Sequence, residues 1–272
     1  MTRRIISALF ALMMMISCMP VHAETTNGTL KVGMECGYAA FNWTQAEPNE
    51  YTVAIQGGGG YADGYDVQIA RIIADALNME LVIVKTEWDG LAMAVQSGAI
   101  DAIIAGMSPT AQRRMTLDFT DHYYQSELVV VVRKDGAYAN ATKLSDLSGA
   151  HIVAQLNTFH DTVVDQIPGV KHGMPMESFP AMVVALQAGA IDGYVAERPG
   201  AVADVTANPD LTFVEFEENQ GFVASEDDTA IAIGLKIGSP LLQQINDVLA
   251  TIDQATREQM MLDATARQPL NN

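Results

Sequence analysis

Two short polar segments invite a chemical reading first. Gly106-Met107-Ser108 and Glu197-Arg198-Pro199 stand 91 residues apart, at matching places in two copies of one pattern. Together they supply a hydroxyl, a carboxylate, a guanidinium and backbone amides, the groups that hold a polar solute by hydrogen bonds and charge. Each also has a plainer reading: Glu197 as the partner of Arg198 alone, and Ser108-Pro109 as a turn. Metal chemistry is not indicated, because His122, His151, His160 and His172 lack close ligand pairing. No glycine loop has the phosphate-cradling spacing with its lysine, so nucleotide binding is not indicated either.

The elements behind these segments repeat. Residues 88–108 resemble residues 179–199, and Gln96-Ser97-Gly98-Ala99-Ile100-Asp101 recurs as Gln187-Ala188-Gly189-Ala190-Ile191-Asp192. In both copies an apolar helix runs into a glycine, the residue suited to the left-handed position just past a helix end. A strand follows at once, Ala102-Ile103-Ile104-Ala105 and Gly193-Tyr194-Val195-Ala196. Helical spacing over 67–77 and apolar runs at 81–84 and 128–132 extend the alternation of an α/β protein. Two like units imply two lobes. Ligands of open α/β sheets sit beyond the carboxyl ends of strands, so Gly106 to Ser108 and Glu197 to Pro199 are expected to share a cleft between the lobes.

The ends and the composition narrow the class. Arg3 and Arg4, an apolar stretch over 5–19, Pro20 and Val21-His22-Ala23 read as a secretory signal peptide over 1–23. The alternative is a lipoprotein leader that ends at a lipid-bearing Cys18. Cleavage after Ala23 leaves 13 basic and 33 acidic residues, a formal charge of −20 that repels nucleic acid and anionic membrane surfaces. It also leaves one cysteine, Cys36, so no internal disulfide forms and the fold rests on its apolar core.

The chain resembles the bacterial solute-binding proteins for polar amino acids, the receptors of ABC-type importers. The resemblance is carried by Leu30-Lys31-Val32-Gly33, Tyr38-Ala39-Ala40-Phe41, Gly64-Tyr65-Asp66-Val67 and Trp88-Asp89-Gly90-Leu91. It continues from Asp101 through Ser108, Thr110 and Arg113 to Asp118-Phe119-Thr120 and Tyr123-Tyr124, then at Leu144-Ser145-Asp146-Leu147, Ala190-Ile191-Asp192 and Ile231-Ala232-Ile233-Gly234. It implies the two-lobed α/β periplasmic-binding-protein fold, a Venus flytrap whose doubly wound lobes are joined by two crossing strands. Lobe 1 is expected over 24–131 and 229–272, lobe 2 over 132–228, with crossings at 128–132 and 229–234.

By the same resemblance Arg113 binds a ligand carboxylate, Thr158 at a helix start meets the same group, and the Ser108 hydroxyl serves the carboxylate or the ammonium. Gly106 offers its backbone carbonyl to the ammonium, and Ala105 is a further candidate ligand-binding residue beside it. Glu197 stands where the family usually has an aspartate for that ammonium. Glu35 lies near the ligand's far end, with Tyr38, Trp43 and Tyr65 as candidate aromatic walls and Gln155 as a polar partner; core packing is the other reading of Trp43 and Tyr65. Ala40 replaces a proline that many members carry, and Gly57-Gly58-Gly59-Gly60 is an insertion.

The expected function is capture of a free amino acid and delivery to a membrane permease by a periplasmic monomer without cofactor, metal or catalysis. Counting one cation (Arg113) and two anions (Glu35, Glu197) favours arginine, lysine or ornithine, with glutamine next. The alternatives are an enzyme on the same scaffold, resembling cyclohexadienyl dehydratases, and a detached amino-acid sensor domain.

Overall fold

The computed structural model describes residues 27–269. The signal-peptide reading of 1–23 and the Cys18 alternative lie outside them. The first stretch contains β1 (Thr29–Met34), β2 (Gly37–Tyr38), β3 (Asn42–Gln45), β4 (Val53–Ala54), β5 (Tyr61–Asp63), α1 (Tyr65–Ala76), β6 (Glu80–Lys85), α2 (Trp88–Ser97), β7 (Ala102–Ile103) and β8 (Leu117–Gln125). The middle contains β9 (Leu128–Arg133), β10 (His151–Val153), α3 (Phe159–Val164), β11 (Lys171–His172), α4 (Phe179–Gln187), β12 (Gly193–Glu197), α5 (Arg198–Ala207) and β13 (Leu211–Val214). The last stretch is α6 (Glu226–Thr229), β14 (Ala230–Lys236), α7 (Leu241–Leu249) and α8 (Gln254–Arg267).

Two five-stranded sheets share one layout. The first runs β6-β1-β7-β14-β8 and the second β11-β10-β12-β9-β13. In each, three strands are parallel and the last two join antiparallel. The inner strands are apolar on both faces because helices cover both sides; Val32, Ile103, Ile152, Val195 and Ile233 are all fully buried. A four-stranded sheet, β2-β3-β5-β4, adjoins the first. Its β4–β5 hairpin carries Gly57 to Gly60, and the first three of these stand in open space.

The repeated sequence has a structural cause. Gly98 and Gly189 end α2 and α4 with φ of 80° and 71°, a conformation that favours glycine. Three residues on, Asp101 accepts from the Lys31 N–H at 2.8 Å and Asp192 from the His151 N–H at 2.9 Å. The same aspartate thus pins the same strand in each half, and holds β7 and β12 in register with their neighbours.

The chain changes sheets twice. All of β9 pairs within the second sheet, from Leu128 opposite Glu197 to Arg133 opposite Leu211. The first crossing therefore lies at Ser126-Glu127, a few residues before the apolar run alone would place it, because that run is satisfied as a central strand. The second crossing enters β14 through α6, and the Ser126 N–H donates to the Thr229 carbonyl at 3.0 Å, so the two connections lie side by side. Cys36 is a buried free thiol. Among the described residues no helix is long and apolar enough to cross a membrane.

Candidate functional site

The strands β7 and β12 end at a narrow cavity between the two halves, with about 10 Å3 open to the centre of a water-sized sphere. One wall comes from the loop after β7. Arg113 begins a single 3-10 turn and is half-buried. Its guanidinium donates to the Ser108 carbonyl at 2.8 Å and to the Asn157 carbonyl at 3.3 Å, and lies 4.9 Å over the Trp88 ring. Burial lowers its pKa to about 10 against the opposing pull of Glu197, so it stays charged at neutral pH.

Beneath this wall lies a buried polar network. The Gly106 N–H donates to the Tyr123 hydroxyl at 3.4 Å, and that hydroxyl donates to Asp66 at 2.7 Å. Asn42 donates to the other Asp66 oxygen at 2.8 Å. Burial raises Asp66 to about 6 although three donors act against it. The network fixes the backbone at Gly106, the floor of the cavity.

The opposite wall is the loop from β10 into α3 together with the end of β12. Thr158 stands at the N-cap position but turns its hydroxyl to the Gln155 carbonyl at 2.6 Å. Gln155 is buried and donates to Glu35 at 3.0 Å and to the Glu177 carbonyl at 3.1 Å. Glu197 is 2% exposed. One of its oxygens meets His160 Nε2 at 2.8 Å and the other accepts from the Tyr38 hydroxyl. Burial pushes the Glu197 carboxyl up, but His160 and Tyr38 together pull harder and leave it below the usual range. It is an ionised acid inside the protein. The Tyr38 ring stacks on Phe179 with centroids 3.9 Å apart, and burial beside Glu197 raises its hydroxyl pKa well above the ordinary value. A Cβ at Gly200 would come within 2.5 Å of the Tyr38 ring, so the start of α5 must be glycine for this packing.

The cavity is lined by Tyr38, Ala105, Gly106, Ser108, Arg113, Gln155, Thr158 and Glu197, all singled out in the sequence. Glu35 stands one contact behind, through Gln155. Trp43 and Tyr65 do not line this cavity, which favours the core-packing alternative for Tyr65. Tyr65 is wholly buried, donates to the Tyr123 carbonyl at 2.8 Å and stacks on that ring, so it is core. Trp43 faces a different cleft, beside Lys85 and Pro180, and its ring N–H donates to Gln45 at 3.2 Å.

Four further residues complete the lining: Trp88, Phe159, His160 and Phe179. Trp88 and Phe179 open the two repeated helices at the same offset of 91, a signal already present in the repeat. His160 had no such signal. It is 6% exposed, its Nε2 holds Glu197, and among the described residues its Nδ1 has no hydrogen-bond partner. No group of three or more His, Cys, Asp or Glu side chains among the described residues is placed to hold a metal ion.

The halves also touch directly across the cavity mouth. Asn157 donates to Asp89 at 2.8 Å, and its carbonyl accepts from Trp88 Nε1 at 3.4 Å as well as from Arg113.

Residues 30–262 match the model of the bacterial extracellular solute-binding proteins, family 3. The chain is 32% identical over 199 residues to a probable histidine-binding protein of Campylobacter jejuni, covering 72% of each. It is 25% identical over 196 residues to the arginine-binding extracellular protein ArtP of Bacillus subtilis, covering 70% of this chain and 72% of the relative. In three dimensions it is similar to an amino acid ABC transporter substrate-binding protein of Streptococcus pneumoniae bound to L-arginine. There the TM-score is 0.76 and the identity 26%, over 88% of this chain and 94% of the other.

Proposed function

Because this chain belongs to the bacterial extracellular solute-binding proteins, family 3, we propose that its cavity captures one free amino acid, with the carboxylate on Arg113 and the α-ammonium on Glu197. It is a binding protein and not an enzyme: it takes up the amino acid outside the cytoplasmic membrane and delivers it to the permease of an ABC importer. The observation that carries this reading is a buried, ionised acid and a charged arginine on opposite walls of one small cavity. A zwitterion satisfies both, and an unpaired charge on either wall would be costly.

The ligand favoured is arginine, lysine or ornithine. Glu35, reached through Gln155, offers a second acid for a side-chain cation, and relatives named for arginine support the choice. Glutamine is the second reading. One observation favours it: burial raises the Glu35 pKa to about 7, against the Gln155 hydrogen bond and with Glu87 and Asp89 adding to the rise, so near neutral pH about half of it is uncharged. An uncharged Glu35 with Gln155 suits an amide.

The lobes are proposed to divide where sheet pairing changes. Lobe 1 takes the chain up to Ser126 and again from α6 onward, and lobe 2 takes the span between. They hinge at the paired connections near Ser126 and Thr229.

A thermal-shift screen of the twenty amino acids with ornithine and citrulline tests the reading, since a ligand at about 100 times its Kd adds roughly 2.7 kcal/mol. A shift for cationic amino acids is expected. No shift for any amino acid overturns the function.

A further inference from the structure

We propose that Trp88 is the positioning residue for Arg113: its indole face fixes the plane of the guanidinium, so that the N–H edge is presented to the carboxylate of the captured amino acid. This rests on the amino-acid reading above, which places that carboxylate on Arg113 and gives Trp88 no part. Arg113 Cζ lies 4.9 Å from the centroid of the Trp88 ring, and both side chains line the cavity. A cation within about 6 Å of an indole face is drawn to it.

The ring supplies something that the hydrogen bonds do not. The N–H groups of a guanidinium all lie in its plane, and that plane must be set before two of them can meet a carboxylate side by side. Arg113 donates to the Ser108 carbonyl at 2.8 Å and to the Asn157 carbonyl at 3.3 Å. Two anchor points leave the plane free to tilt about the line that joins them. A ring against one face removes that tilt and leaves the edge open. Of the two carbonyls only that of Ser108 stands in the same half as Arg113, since Asn157 follows β10 in the other. Trp88 begins α2 in Arg113's own half, so Ser108 and the indole set the plane whether or not the halves have met.

The duplication carries the same device to the other wall. Phe179 opens α4 as Trp88 opens α2, at the offset of 91, and its ring stacks on Tyr38, whose hydroxyl donates to Glu197. Each repeated helix thus begins with an aromatic that holds a group on one of the two charged walls. Core packing alone does not ask for this, because Trp88 is only half-buried and borders the cavity.

Two variants test the role of the face. Trp88→Phe keeps an aromatic face and removes the ring N–H, which donates to the Asn157 carbonyl at 3.4 Å. Trp88→Leu keeps apolar bulk and removes the face, and Trp88→Met takes its place if a thermal melt shows that the leucine variant is unfolded. Calorimetry on the whole secreted chain reads affinity, with whichever of L-arginine, L-lysine, L-ornithine and L-glutamine binds the wild type best. Nitrogen NMR of the ligand-free protein reads the order of the Arg113 side-chain N–H, assigned by its loss in Arg113→Ala.

Trp88→Leu should weaken binding roughly three- to ten-fold, the penalty for ordering one mobile side chain when the ligand arrives, and should make the Arg113 N–H mobile in the free protein. Trp88→Phe should keep most of the affinity and the order. Binding near wild type in Trp88→Leu overturns the proposal. A Trp88→Phe variant as weak as Trp88→Leu assigns Trp88 to its bond with Asn157 and overturns it as well. So does a loss of affinity with the Arg113 N–H still ordered, which makes Trp88 a wall that the ligand touches. Failure of the wild type to bind any of the four amino acids overturns the proposed ligand class, and the NMR comparison then decides the positioning role by itself.

Discussion

Replacing Glu35 with glutamine separates the charge at the far end of the cavity from its shape. Burial, helped by Glu87 and Asp89 and opposed by the Gln155 hydrogen bond, lifts the Glu35 carboxyl from 4.5 to about 7. That rise amounts to roughly 3 kcal/mol against the ionised form. A side-chain cation beside Glu35 offsets this penalty and draws the pKa back toward its ordinary value. Binding then releases a proton wherever the empty site holds one, that is, at and below about pH 7. Arginine and lysine do not themselves change charge between about pH 5 and pH 8, so affinity should rise across that interval, on the order of fifty-fold if the shift is fully reversed. Titration calorimetry near both ends of the interval, in two buffers of unlike ionisation enthalpy, reads affinity and proton count together. Glu35→Gln should flatten the profile and lose the preference for a cation over glutamine. An equal affinity at both ends, or a mutant with the wild-type profile, refutes the reasoning. Without ligand the sign is opposite. The folded protein holds the Glu35 proton more tightly than the unfolded chain, so this contribution to stability is full below about pH 4.5 and is lost as pH rises to about 7.

Arg113→Ala should cost on the order of 2–5 kcal/mol of binding by calorimetry, because a ligand carboxylate loses its partner inside the cavity, while the melting temperature of the empty protein changes little. Asn157→Gly keeps the left-handed backbone at that position (φ 57°) and removes the bond to Asp89; stopped-flow dissociation should quicken roughly three- to ten-fold, with little change in association. Tyr194→Phe strips the hydroxyl that donates to the half-buried Asp204 at 2.5 Å; urea unfolding should show a loss of about 1–2 kcal/mol with ligand affinity intact.

Much of the site was legible because it is built from a duplication. The offset that pairs Gly98 with Gly189 and Asp101 with Asp192 also pairs Gly106 with Glu197 and Trp88 with Phe179, and all four of the latter line the cavity. Local signals repeat where local geometry repeats. The aromatic walls were harder, because which face an aromatic presents depends on partners far along the chain. Tyr65 is committed to a carbonyl 58 residues away, and Trp43 is turned by its pairing in β3 toward a separate cleft. His160 was invisible for the same reason: nothing near it in sequence announces a carboxylate 37 residues on. The sheet that Leu128 to Val132 joins was not legible, because an apolar run reports burial and not its pairing partner.

The division of charge between the two walls has one more consequence, and it concerns handedness. A carbon whose carboxylate is held from one side and whose ammonium is held from the other, with its side chain running toward Gln155, has three of its four substituents assigned. Its mirror image can satisfy any two of these and must send the third toward the hydrogen's place. On the proposed assignment, selection of one enantiomer is expected without a dedicated residue. It would follow from Arg113 and Glu197 standing on opposite walls of the cavity, with the side chain directed to a third point.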